Sequence, residues 1–201
     1  MDKSALYKIG YGLYVLTARE GGKDNGCIIN TLMQVTGGPP AVCVITVSKL
    51  NYTHDMIART KEFNVSALTA EAPFFVYKHF GYQSGRDLNK FADCKDETRS
   101  ANGLIYLPKY VNAYMSFRVT DAFDFGTHTM FKAEMADGAL LSDAESVTYA
   151  YYQKNVKPAP EPARSKGWRC NICGYVYEGD TLPEDFICPL CKHGASDFTK
   201  I

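Results

Sequence analysis

The sequence is short of several things, and each shortage removes a class of function. Neither charge is in excess: Lys+Arg and Asp+Glu are both 22 among 201 residues. Without a basic surplus there is no electrostatic case for nucleic acid or an anionic membrane as the main partner. Long hydrophobic runs are missing too. The most apolar stretch, Ala41 to Val47, has seven residues and is broken by Thr46, whereas a membrane-spanning helix needs about 20. The first ten residues, MDKSALYKIG, contain no apolar stretch of the signal-peptide kind, so the expectation is a soluble, cytoplasmic protein. There is no internal repeat, and no Gly-x-Gly-x-x-Gly fingerprint for a dinucleotide.

What remains is globular, with 46% hydrophobic and 22% charged residues. The length allows one ordinary domain plus a small one, or a single large domain. The seven cysteines are an odd and uneven set. Cys27, Cys43 and Cys94 are scattered, whereas Cys170, Cys173, Cys188 and Cys191 crowd into 22 residues. One metal site in a reducing compartment fits this pattern better than a secreted disulfide framework.

Composition changes at Lys154. From there to Gly167 the text is KNVKPAPEPARSKG, with Pro158, Pro160 and Pro162 alternating with small or charged residues. Such a stretch excludes helix and sheet and reads as an extended, semi-stiff spacer, either a free tether or one partly docked on a domain. The organisation expected is a domain over 1–153, a linker over 154–167 and a small domain over 168–201.

Residues 1–153 are rich in short strands. Ala113, Met115, Phe117 and Val119 alternate with Tyr114, Ser116, Arg118 and Thr120, and Phe131, Ala133 and Met135 alternate with Lys132 and Glu134, the period of a half-buried strand. Ala41 to Val47 reads as a strand buried on both faces. Helices are expected at Asn51 to Lys61, after Pro73, and at Asp87 to Phe91. Many strands and few helices predict a mainly β protein, a β-barrel with helical excursions.

The two C-x-x-C pairs, Cys170/Cys173 and Cys188/Cys191, are separated by 14 residues. Each pair can form a knuckle presenting two thiolates, and two knuckles complete a tetrahedral sulfur site. A domain of this size buries too little apolar surface to hold itself together, so a metal staple is physically expected. The spacing alone accepts zinc or a single iron. The text W-x-C-x-x-C-G-Y-x-Y…F-x-C-P-x-C…D-F over 168–201 resembles rubredoxin, with a shorter stretch between the knuckles. That resemblance implies one iron held by all four cysteines. Such a site has no open position and serves as a one-electron relay tuned by exposure and hydrogen bonding.

Three segments of the first domain carry clustered polar chemistry. Asn30, Thr31 and Gln34 line a strand and its exit. Ser48, Lys49, Asn51, Thr53 and His54 gather where a strand ends and a helix begins, a place suited to an anion or a flavin edge; Asn51 or Thr53 would equally serve as a helix cap. Ser84, Gly85 and Arg86, with Lys90 as a second cation, read as a phosphate clamp or as a solvated turn. His128 sits mid-strand among polar residues, a position that suits a structural histidine as well as a catalytic one.

Together, N-x-x-x-Q at 30–34, PP-x-V-x-V-x-x-V-S-K at 39–49, N-Y-T-H-D at 51–55, S-G-R-D at 84–87, G-T-H-T at 126–129 and T-Y-A-Y-Y at 148–152 resemble the flavin reductase-like split-barrel family. Fused to a rubredoxin, the whole resembles the high-molecular-weight rubredoxins. The resemblance implies a homodimer binding FMN, with Asn30, Thr31, Gln34, Ser48, Lys49, Asn51, Thr53 and His54 as flavin contacts. It places Ser84, Gly85, Arg86 and Lys90 at the phosphate, and His128 near the isoalloxazine or the nicotinamide side. It further implies NADH or NADPH as donor and a redox-protein acceptor, usually a flavodiiron protein. The rival is a flavin or ferric reductase carrying a structural zinc ribbon.

Overall fold

The computed structural model describes residues 2–92, 98–158, 166–190 and 193–201. Seven antiparallel strands make the main sheet: β1 (Tyr14–Glu20), β2 (Lys23–Ile29), β3 (Leu32–Thr36), β4 (Val42–Ser48), β5 (Glu62–Leu68), and the long pair formed by Val111–Asp124 and His128–Leu140. Two-stranded β6 (Thr98–Arg99) and β7 (Ile105–Tyr106) stand apart, so the long pair is β8 and β9. The sheet order is β2-β1-β5-β8-β9-β4-β3. Its two outermost strands, β2 and β3, are joined by Asn30 and Thr31 alone. A connection that short cannot cross an open seven-stranded sheet whose strands lie about 4.8 Å apart. The sheet must therefore curl until its ends meet, which makes it a barrel.

The barrel interior is filled by one face of each strand. Leu16, Ile45, Val47, Phe63, Val65, Phe117 and Phe131 are essentially buried, with the Phe63 and Phe117 rings stacked at 5.1 Å. In β4 the burial alternates: Cys43, Ile45 and Val47 are buried, while Val42, Val44 and Thr46 are half-covered. The expectation of a strand buried on both faces is thus corrected, because only the inner face meets the core. The alternation expected in β9 holds, with Phe131 and Ala133 buried between half-covered Lys132 and Glu134. In β8 a register shift at Ser116/Phe117 buries two successive residues.

Helix α1 (Tyr52–Thr60) forms where the text predicts it and buries Thr53, Met56 and Ile57. Helix α2 (Phe74–Gly81) follows Pro73, which occupies the N-cap. The helix expected at Asp87 to Phe91 is absent: the segment is a series of turns. Lys90 is drawn inward, its Nζ donating to the carbonyls of Gly26 (2.8 Å) and Phe80 (3.0 Å). Asn89 Oδ1 accepts from the Phe91 amide. These contacts replace helical ones.

The barrel chain leaves through a helical turn, α3 (Tyr149–Tyr151), and a π-turn over Tyr152–Val156. The extended spacer expected from Lys154 therefore begins later. Asn155 Nδ2 donates to the Tyr151 carbonyl and the Lys157 amide to that of Tyr152, and the prolines start only at 158. Linker residues 159–165 lie outside the described residues, as do Cys94, Cys191 and Lys192.

The C-terminal piece is a three-stranded sheet, β11-β10-β12, from β10 (Trp168–Cys170), β11 (Val176–Tyr177) and β12 (Phe198–Lys200). Half-buried Phe186 packs against it, 4.7 Å from the Tyr177 ring and edge-on to Phe198. Among the described residues no helix is long and apolar enough to cross a membrane.

Candidate functional sites: a thiolate cluster and a cleft

The first knuckle is closed by the Gly174 amide donating to the Cys170 carbonyl and the Cys170 amide to that of Tyr175. Gly174 has φ of 81°, a left-handed turn that glycine adopts without steric cost. In the second knuckle the Cys188 amide donates to the His193 carbonyl. The result brings the sulfurs of Cys170, Cys173 and Cys188 within 4.8 Å of one another, and Cys173 Sγ lies 3.5 Å from Cys188 Sγ. Four thiolates at about 2.3 Å from one tetrahedral metal stand about 3.8 Å apart, so this set fits a metal. Cys170 and Cys188 are buried, and Cys173 is half-buried. Cys191 cannot be placed among them, since it lies outside the described residues.

The second site is a cleft of about 240 Å³ on the barrel. Strand β2 gives it a floor of Asn25, Gly26 and Cys27. Ser48 enters from the end of β4, Asn51 and Thr53 from the start of α1, and Ser84, Gly85 and Lys90 from the turns after α2. Six of the sequence-expected residues thus converge. Asn51 occupies the N-cap of α1, but its side chain makes no cap bond, which leaves the first-turn N–H groups suited to an anion. Thr53 is buried and accepts from Asn25 Nδ2 at 2.9 Å. Burial raises the Cys27 thiol pKa against the opposing effects of Thr53 and the Lys90 charge. Burial pushes Lys90 down to about 8.

The other expected residues are not part of its lining. Arg86 pairs with Asp55, its guanidinium 5.1 Å from the Tyr52 ring centroid. Burial works to raise the Asp55 carboxyl, but hydrogen bonds from His54 and Arg86 outweigh it and hold the pKa below the usual range. His54 bridges Asp55 through Nδ1 (3.0 Å) and Thr129 Oγ1 through Nε2 (2.8 Å). Lys49 donates to both Asp124 oxygens at 2.7 Å. His128 opens β9 opposite Ser48; burial and then the charges of His193 and His54 lower its pKa. Thr31 staples β3 to β4 through Thr46, Oγ1 to Oγ1 at 2.6 Å. Asn30 is half-buried in the β2–β3 link, and exposed Gln34 donates to the Thr36 carbonyl.

The sequence reading missed Asn25, Cys27, Tyr149 and Tyr152, which also line the cleft. Asn25 is 2% exposed, yet its Oδ1 has no hydrogen-bond partner among the described residues, as expected of an acceptor awaiting a donor. An unfilled acceptor, a buried ammonium and an uncapped helix start make a donor set that fits a phosphorylated, hydroxyl-rich cofactor such as FMN.

Comparison with known proteins finds a match for both parts of the chain. Residues 6–160 match the Flavin reductase like domain, and residues 168–199 match the Rubrerythrin, rubredoxin-like domain. The high molecular weight rubredoxin of Moorella thermoacetica is 35% identical over the full length of both chains. A ferric-chelate reductase (NAD(P)H) of Archaeoglobus fulgidus is 36% identical over 76% of this chain and 89% of its own. The NADH:FAD oxidoreductase of Streptomyces globisporus superposes with a TM-score of 0.64 at 20% identity, covering 73% of this chain and 85% of that one. The split barrel, its cleft and the sulfur knuckles thus assign the chain to the flavin reductase-like family, in the form that carries a C-terminal rubredoxin-like domain, as high molecular weight rubredoxin does.

Proposed function

We propose that the protein is an NAD(P)H-dependent flavoprotein that passes electrons from reduced nicotinamide, by way of FMN in the barrel cleft, to one iron held by Cys170, Cys173, Cys188 and Cys191, and on to a redox protein such as a flavodiiron protein. The observation that carries this reading is the cleft's composition. Barrel residues that suit FMN and residues of the sulfur knuckles, Ile172, Leu190 and His193, line the same space.

FMN would supply hydride acceptance and one-electron release. Lys90, Ser84 and Gly85 with the α1 amide groups would hold its phosphate, Arg86 would stand behind them in its pair with Asp55, and Asn25 Oδ1 would accept from a hydroxyl or ring N–H. Lys49 and His54 would set the charge near the ring, and His128 the side from which nicotinamide approaches. Asn30, Thr31 and Gln34, away from the cleft of their own chain, would act at a dimer contact. Met33, Val35 and Leu140, all exposed, supply apolar surface for a homodimer of this kind.

The test is the visible spectrum of the purified protein before and after anaerobic NADH or NADPH, with elemental analysis. Flavin and ferric-thiolate bands that bleach together support the relay. Zinc in place of iron, with flavin bleaching alone, would instead support a flavin or ferric reductase with a structural ribbon. That second reading is favoured by the identity to the Archaeoglobus reductase.

A further inference from the structure

One cation of the barrel reaches the sulfur knuckles. Lys157 follows the π-turn over Tyr152–Val156 and stands before the linker prolines. The barrel holds its backbone: the Lys157 amide donates to the Tyr152 carbonyl at 2.9 Å. Tyr152 is itself fixed, buried with its ring 4.4 Å from that of Tyr77 and its hydroxyl 3.0 Å from that of Tyr82. From this anchor Lys157 Nζ donates to the Ile172 carbonyl at 3.3 Å. Ile172 lies between Cys170 and Cys173, in the first knuckle, whose two sulfurs belong to the thiolate cluster. Lys157 and Ile172 also line the cleft together.

Charge gives this contact its weight. Residues 168–201 hold three bases, Arg169, Lys192 and Lys200, against five acids, Glu178, Asp180, Glu184, Asp185 and Asp197. The small domain is therefore negative before its sulfurs are counted. Four thiolates leave a ferric centre anionic and a ferrous centre more so. Reduction thus places an electron on an already negative domain, and a cation at the knuckle favours the reduced form. We propose that Lys157 is the barrel's counter-charge to the thiolate centre and makes its iron easier to reduce. This rests on the iron reading above. The step it favours is the passage of one electron from reduced flavin to iron(III), giving iron(II), with no bond made or broken.

The test is a redox titration of the full-length, iron-loaded protein as wild type, as Lys157→Gln and as Lys157→Arg. Ferric iron is followed by electron paramagnetic resonance, which flavin absorption does not obscure. In Lys157→Gln the ferrous-to-ferric ratio at a set potential should fall about threefold. That is a potential lower by about 30 mV, at about 59 mV per tenfold for one electron. Lys157→Arg should hold the wild-type value. Salt at about 1 M should shrink the difference, because it cuts the screening length to about 3 Å. Equal potentials for wild type and Lys157→Gln would overturn the proposal. Equal losses in the Gln and Arg variants would overturn it too, since the contact would then act by shape and not by charge. A chain that takes up zinc but no iron on reconstitution would overturn the iron reading alone. Zinc release to a chelator then decides about Lys157, because a zinc tetrathiolate is anionic as well. Release about threefold faster from Lys157→Gln than from wild type or Lys157→Arg supports the counter-charge, and equal rates overturn it.

Discussion

The amide of Asn25 fills the space that a side chain at position 85 would need: a Cβ built on Gly85 would come within 2.0 Å of Asn25 Oδ1. The turn after α2 therefore packs flat on the cleft floor only because residue 85 is glycine. Gly85→Ala should push that turn off Asn25 and destabilise the barrel by about 1–3 kcal/mol. Thermal unfolding of the two chains checks this; an unchanged midpoint would mean that the turn yields freely.

Thr53 holds Asn25 inside the floor by accepting from its Nδ2 at 2.9 Å. Thr53→Val keeps the shape but removes the hydroxyl, leaving Asn25 Nδ2 buried and unpaired at a cost of about 1–3 kcal/mol. Thr53→Ser should recover most of it. Denaturant titration of the three chains measures the difference, and equal stability of Val and Ser would show that the hydroxyl contributes nothing.

Lys90 gives the cleft a pH dependence. Its folded-state pKa is lowered to about 8, from about 10.4 for an ordinary lysine. Between those values the unfolded chain binds more protons than the folded one, so this group makes stability rise with pH across that window. An anion bound beside Lys90 acts in the opposite direction, favouring the charged form. FMN affinity should therefore be greatest below about pH 8 and fall above it. Lys90→Arg, which stays charged, should flatten the profile. Fluorescence titrations from neutral to alkaline pH test this; parallel profiles for the two chains would remove Lys90 from the phosphate site.

The C-terminal sheet should depend on its metal. Its buried apolar side chains among the described residues are few, namely Cys170, Cys188 and Phe198, and structural zinc contributes about 10–16 kcal/mol in zinc-finger peptides. Cys188→Ser, or chelation, should abolish the metal and the small domain's protection from protease while the barrel keeps its melting transition. Loss of the barrel transition as well would show that the two parts fold as one unit.

The sequence showed what is local. The knuckles are legible because four thiolates at fixed spacing have few other uses, and α1, α2 and the long β8–β9 pair follow from period and from Pro73. Long-range contacts were hidden. Nothing in the text 84–87 says that Asp55 will engage Arg86, 31 residues away. Asn25 reads as one polar residue in an ordinary strand, and only folding brings it against Thr53 and Gly85. The failed helix at Asp87 to Phe91 has the same origin: Lys90 looks like a solvent-facing lysine until the Gly26 and Phe80 carbonyls take its ammonium.

Trp168 is the single tryptophan in a chain with 14 tyrosines. It lies in β10, two residues before Cys170, with its indole N–H donating to the Asp180 carbonyl. The protein therefore carries a built-in optical gauge. Were a flavin bound in the cleft, energy transfer from that indole would dim its emission, and with the metal at the knuckles kept the same that dimming would report, without any added label, how near the sulfur knuckles stand to the barrel.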